Sequence, residues 1–313
     1  MTNPLRRFLE ASSRRGAPLL AAGVFGGLLF PPLARAMVWF ISPQVVLLMT
    51  LVLLRVDIPA AFAHLTRPGR LLAIVAFQMV VSPFVAAAAL AVIPLDAGTA
   101  AGVVIFATGA AATSGAAFAR LVGLDPELTL LATLASIFVV PLTGPPLAHL
   151  LAGFDLHLSV LGFMARLALV VGLPLAASLL LRRLIGPARL TPLGPALDGA
   201  VVWIVVLYGV AVMDGIQARL LTDPGWVVQA TIAAFVADFG LNGITTLAFM
   251  WMGRRSAVSA GLMAGNRNMG LYLAVLPASA DHRVALFMAL AQLPLFLSPF
   301  VLGPIYRRLI GRR

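Results

Sequence analysis

Apolar stretches of about 18 to 25 residues, separated by short polar links, recur along the whole of this chain. Each is long enough to cross about 30 Å of hydrocarbon at about 1.5 Å per residue. Ten such spans are predicted, at 17–34, 36–54, 70–93, 100–120, 128–152, 160–183, 197–214, 226–252, 256–278 and 284–306. Pro43 interrupts the second, and the link at Arg35 before it is very short. With loops this short there is no soluble domain, and the pattern predicts an all-α polytopic membrane protein folded as one bundle.

Composition agrees: 61% of the 313 residues are hydrophobic and only 11% charged, against about a quarter charged in a soluble domain. The basic residues are all arginine, and their placement orients the bundle. With the N-terminus in the cytoplasm, seventeen of the 22 fall in cytoplasmic segments, while the opposite loops hold only Arg35, Arg219 and Arg283. This predicts a multi-pass protein of the plasma membrane, or of the inner membrane in a bacterium, with residues 1–16 and the carboxyl end both cytoplasmic. The net charge of +11 is scattered over loops and forms no aromatic-interleaved surface, so anionic lipid rather than nucleic acid is the expected partner. Absence of cysteine excludes disulfides and thiolate metal sites. The first span, which ends Ala34-Arg35-Ala36, also has the look of a secretory signal, but removing it would undo the arginine asymmetry.

The chain divides into halves, 17–152 and 157–310, of five spans each. An odd number forces the second half to enter from the opposite side, so the halves are expected to be inverted repeats. At a constant offset of 158, Phe138, Pro141 and Pro146 match Phe296, Pro299 and Pro304. Helices 4 and 9 hold equivalent places, and small and polar residues interrupt both: Thr108-Gly109-Ala110-Ala111-Ala112-Thr113-Ser114-Gly115 and Gly265-Asn266-Arg267-Asn268-Met269-Gly270. Paired breaks of this kind point to a transport site, because broken backbone at membrane depth survives only inside protein or along an aqueous cavity. Close packing through small residues is the alternative for helix 4.

Arg267 carries the strongest signal, since a charge at that depth costs at least about 2.5 to 3.5 kcal/mol on insertion scales. Rise arithmetic puts it roughly 16 Å deep and Asp238 of helix 8 at a similar level, with Asp238, Asn242 and Thr245 on one polar face. Two readings stand: Arg267 supported electrostatically by Asp238, with Asn266 and Asn268 orienting an anionic substrate, or a buried Arg267–Asp238 pair that fixes helix packing. Asp238 could also carry a proton.

On these residues the chain resembles the bile acid:sodium symporter superfamily over nearly its whole length. The first signature runs Asp57-Ile58-Pro59-Ala60-Ala61-Phe62, Arg67-Pro68, Gln78 and Pro83; in the second, Gly265 and Asn268 hold the glycine and asparagine of the helix 9 motif. The resemblance implies ten transmembrane helices in two inverted five-helix repeats, with broken crossing helices 4 and 9 and a core domain moving against a panel domain. It also implies uptake of organic anions, commonly with sodium. Gln78 matches the family and is a cavity candidate, as are Thr113 and Ser114 of helix 4. Ser114, Thr129 and Thr133 match sodium-ligand positions, which would make a weak sodium site. Met263 stands where the motif has a carboxylate, Arg267 where it has a glutamine, and Gly115 where helix 4 has an asparagine. An oxygen site for a hard cation has thus lost an anionic ligand and gained a fixed positive charge, and no other cofactor is implied.

These readings converge on a secondary active transporter, symporter-like, that moves a small organic anion by alternating access. Arg267 would serve as anion anchor or as fixed replacement for a coupling cation. A proton-coupled or uncoupled efflux carrier of the same fold is the alternative, and a receptor or scaffold the alternative from another class. Neither paired aspartate clusters nor a His-Glu-x-x-His pair occurs, so an intramembrane enzyme is not expected.

Overall fold

The computed structural model describes residues 4–14, 16–56, 58, 68–152, 159–277 and 280–311. Asp57, Pro59 to Phe62 and Arg67 of the first signature lie outside them. The described residues hold no strand and are 86% helical. In order the helices are α1 Pro4–Arg14, α2 Gly16–Leu29, α3 Pro31–Leu54 and α4 Pro68–Leu90. Next come α5 Ala97–Thr108, α6 Gly115–Val122, α7 Pro126–Ala152, α8 Val160–Ile185, α9 Gly194–Val212 and α10 Ile216–Thr222. The last six are α11 Pro224–Ala248, α12 Arg254–Gly265, α13 Met269–Leu273, α14 His282–Leu290, α15 Gln292–Val301 and α16 Gly303–Leu309.

Among the described residues six pieces are long and apolar enough to cross a membrane unbroken: α3, α4, α7, α8, α11 and residues 188–222. A seventh is bent by 50° between Ser298 and Gly303. The chain is a multi-pass membrane protein, and rows of large apolar side chains such as Leu161, Leu169, Leu180 and Leu184 of α8 face outward. The first boundary differs from the expected link at Arg35. Arg35 lies inside α3, and the chain leaves helical geometry at Phe30 (φ −123°, ψ 71°), before Pro31 and Pro32. A residue preceding proline is pushed out of the helical region, whereas arginine breaks nothing. Pro43 does not interrupt its span either, because a fresh helical turn starts at Ile41, and an amide in the first turn has no helical acceptor to lose.

The helices group into two compact units, each drawn from both halves of the sequence. The first comprises residues 1–63 and 169–224. Here α9 is flanked by α1 and α2, and glycines set the approach of α2: a Cβ on Gly23 would stand 2.6 Å from the Val206 carbonyl, and one on Gly27 would stand 2.5 Å from that of Val210. Phe8 stacks on Trp203, whose indole N–H donates to Ser12 Oγ at 3.0 Å. Arg55 pairs with Asp198, and Arg35 lies 3.9 Å from Asp214.

The second unit, residues 64–168 and 225–313, holds both interrupted helices. Asp96 anchors one end of it. Its carboxylate caps α5 by accepting from the Thr99 amide (3.2 Å) and hydroxyl (2.5 Å), and it also accepts from Trp226 Nε1 and Arg283 Nη1, both at 3.1 Å. One side chain thereby ties α5 to α11 and α14. Near α16, Ala119, Val122, Leu124, Val258, Leu262 and Tyr306 form a buried apolar cluster that joins α6, α12 and α16.

Partial burial works to raise the Asp96 pKa, but the hydrogen bonds from Thr99 and the Arg283 guanidinium outweigh it and hold the carboxyl below its ordinary value. A depressed folded-state pKa means that the stabilisation is present above the unfolded value and lost as pH falls through the folded one. Thermal unfolding of the wild type should therefore show an acid-induced loss below about pH 4 that Asp96→Asn lacks. Parallel acid profiles for the two proteins would refute this role.

Candidate functional site

Helix 4 of the sequence is α5 and α6 with a break at residues 109–114, and helix 9 is α12 and α13 with a break at 266–268. The first break is notable because Ala110, Ala111 and Ala112 are the best of helix formers, so tertiary structure overrides propensity there. What replaces the helical hydrogen bonds is the other break. Ala111 and Arg267 face each other in an isolated antiparallel bridge, with Ala112 N–H donating to Asn266 O and Asn268 N–H to Ala110 O, both at 2.8 Å. Each unwound segment thereby supplies a backbone donor and a backbone acceptor to the other, replacing helical partners that both have lost.

Serines on the two following helices steady the crossing. Ala111 N–H donates to Ser136 Oγ of α7 at 3.0 Å, and Ser298 Oγ of α15 donates to Asn266 Oδ1 at 2.8 Å. Tyr272 of α13 shares a 2.8 Å hydrogen bond with Thr108 Oγ1 at the end of α5. Its hydroxyl occupies space that a Cβ on Gly144 would fill.

Arg267 is fully buried and stands where α5 and α12 both end. Its Nε donates to Ala264 O at 2.7 Å, and its Nη1 to Gly109 O at 2.6 Å and to Gln78 O at 3.1 Å. Two of these carbonyls belong to the C-terminal ends of half-helices, where the helix dipole is negative. The third is free for a covalent reason. α4 contains a π-helical turn at Phe77–Val81, in which Ser82 N–H reaches back five residues to Phe77 O. The next donor in that register would be residue 83, a proline with no N–H, so the Gln78 carbonyl is left for the guanidinium. Nη2 is buried and has no hydrogen-bond partner.

The structure divides the other candidates. Asn266 is 1% exposed and its amide is spent on Leu262 O and Ser298; Gln78 Nε2 donates to Met263 O at 3.2 Å. Both act as ties within the protein. Thr113, Ser114 and Asn268 are half-buried, the accessible part of the crossing. Asp238, Asn242 and Thr245 share a buried face of α11, as their spacing predicts, and Asn242 donates to the Tyr306 hydroxyl. No ion pair within 4 Å joins Asp238 to Arg267 among the described residues, so their charges act on each other from farther apart.

The sodium candidates meet near the end of the first break, where a Cβ on Gly115 would stand 3.1 Å from Thr129 Cγ2 and 3.6 Å from Thr133 Oγ1. This donor set does not fit a sodium ion. The side-chain oxygens of Ser114, Thr129 and Thr133 are all neutral hydroxyls, the Met263 side chain brings no oxygen, and the Gly109 and Gln78 carbonyls already receive a guanidinium. Among the described residues no group of three His, Cys, Asp or Glu could hold a metal ion.

Against known families, the model of the sodium bile acid symporter family matches residues 42–221, more than half of the chain. The chain belongs to that family. It is a membrane transporter of the bile acid:sodium symporter type. None of the curated proteins matches it. The matched region takes in the break of helix 4, α4 with Gln78 and Pro83, and α7 with Thr129, Thr133 and Ser136. For this family member, sequence reading missed Ser136, Ser298 and Tyr272, each a polar group inside a strongly apolar segment, which is the signal that could have exposed them.

Removing either serine hydroxyl leaves a buried group of the crossing without its partner, at a cost of about 1 to 3 kcal/mol. Ser136→Ala and Ser298→Ala should each lower the thermal unfolding midpoint in detergent. Their double variant should depart from additivity, because both act on one bridge; simple additivity would show that the crossing does not behave as a unit.

Proposed function

We propose that this protein is a secondary active transporter of a small organic anion in which Arg267 is the fixed replacement for a coupling cation. The supporting observation is the set of three backbone carbonyls, from Gln78, Gly109 and Ala264, that receive its guanidinium hydrogens. Carbonyls at the negative ends of two half-helices are the groups that coordinate a cation in transporters with broken helices. With a permanently charged side chain in that place, the crossing carries its own positive charge without sodium.

An anion then meets the half-buried Thr113, Ser114 and Asn268, with Arg267 behind them as a source of positive potential and Nη2 its one uncommitted arm. Burial raises the worth of that charge, since field lines in low dielectric are not screened by water. Asn266 and Gln78 hold the crossing in place, and Asp238 and Asn242 form its polar background. The finer architecture belongs to the same reading: ten helices in two inverted repeats of residues 17–152 and 157–310, alternating access, and both termini on the cytoplasmic face of the plasma membrane or bacterial inner membrane. The grouping of the chain into two units that each draw on both halves supports it.

Thermal stabilisation of the purified protein by a panel of organic anions, each as its sodium and its potassium salt, tests the reading, because a ligand of the native state raises the unfolding midpoint. Stabilising anions should act equally with either cation, and Arg267→Gln should weaken them at least about tenfold, or about 1.4 kcal/mol. Stabilisation that requires sodium, or that survives in Arg267→Gln, would sink it.

A further inference from the structure

The face of α11 that carries Asp238, Asn242, Thr245 and Thr246 is buried along its length. It packs on α12 where Gly261 and Gly265, four residues apart, carry no side chain. A Cβ on Gly265 would stand 2.6 Å from the Asp238 carbonyl and 2.8 Å from its Oδ1, and one on Gly261 would fall on the Thr246 hydroxyl, 2.5 Å from the Asn242 carbonyl. The glycine pair clears a slot that a row of polar groups occupies. At its inner end sits a carboxyl that is 0% exposed, with neither oxygen hydrogen-bonded. The charged and titratable groups that act on it are Arg267, from the break after α12, and Tyr306 of α16, whose hydroxyl accepts from Asn242.

Arg267, Asn266 and Gln78 each donate at least one hydrogen bond within the protein, whereas the carboxyl of Asp238 has both oxygens without a partner. An acid with no structural partner in the low-dielectric interior of a transporter marks a candidate functional site. We propose that Asp238 is a reversible proton-binding site, reached along the polar face of α11, which balances Arg267 when no anion is bound. The proposal rests on the reading of Arg267 as a built-in cation.

The charge balance follows directly. With the site empty, ionised Asp238 and Arg267 cancel. When a monovalent anion enters, the same pair plus the anion is net negative, and an uncompensated charge at this depth is costly. A proton taken from water onto an Asp238 oxygen restores neutrality, and the same proton returns to water after the anion leaves. One proton then travels with one anion, and both states that reorient are neutral. Asn242, Thr245 and Thr246 continue from Asp238 toward Ala248, about 15 Å along the helix, and the Thr245 hydroxyl is buried without a partner. That end of α11 is the one the arginine distribution orients to the cytoplasm.

Infrared difference spectroscopy of the full chain in liposomes tests this without any anion. Between alkaline and acidic pH the wild type should gain a protonated-carboxyl band that shifts in heavy water, is lost in Asp238→Asn, and is the same in sodium and potassium chloride. Asp238→Glu, which keeps the acid if the amide variant does not fold, should retain a titrating band at a displaced position. Identical wild-type and Asp238→Asn spectra at every pH would overturn the proposal, as would an Asp238 band that never changes with pH. A silent Asp238 leaves the anion-stabilisation result for Arg267 untouched, whereas failed anion stabilisation beside a titrating band would overturn the Arg267 reading alone.

Discussion

A backbone amide or carbonyl without a partner costs several kcal/mol where water is absent, and the second unit is organised around meeting that demand at two helix breaks. Neither break is tolerable by itself. Residues 109–114 and 266–268 run antiparallel through the Ala111–Arg267 bridge, and the donors of one reach the acceptors of the other. Ser136 and Ser298 take up groups that the bridge leaves over, and Thr108 and Tyr272 link the half-helix ends on either side. Four half-helices are thereby locked to one point, so a displacement of any of them is felt at the crossing.

The same geometry explains why a guanidinium can be buried there. Ending two helices at one place gathers negative dipole ends, and the proline-freed carbonyl of Gln78 adds a third acceptor from α4. Arg267 satisfies all three acceptors with two of its nitrogens and leaves Nη2 as the arm without a partner. A cation would face the same carbonyls, but it would leave when its gradient fell, and the arginine cannot. In the reading argued above, that difference turns a sodium-dependent design into one whose positive charge is permanent and whose only adjustable charge is the carboxyl of Asp238.

Close packing is what brings these parts within range. Gly261 and Gly265 let α12 lie against the polar face of α11, and Gly144 makes room for the Tyr272 hydroxyl. Asp96 fixes α5 to α11 and α14 by a single carboxylate that takes hydrogen bonds from three other residues. Glycines supply proximity in a medium where apolar burial against lipid offers little driving force, and hydrogen bonds then supply the specificity.

The membrane class, the location of both breaks and the presence of a charge, Arg267, inside the second were legible in the sequence, because hydropathy over about twenty residues and a charge inside it are local properties. The family signature at Gln78 and Pro83 was legible too, although its purpose was not: the carbonyl freed by Pro83 acquires meaning only when Arg267, 189 positions away in sequence, donates to it. Tertiary structure alone decided that the alanine run would unwind, that Ser136 and Ser298 would serve the crossing, and that Arg267 would spend its hydrogens on carbonyls rather than on Asp238. Apart from the bond of Arg267 to Ala264, these are hydrogen bonds between residues distant in the chain, and a partner that arrives from another helix leaves no mark on the local pattern that sequence reading uses.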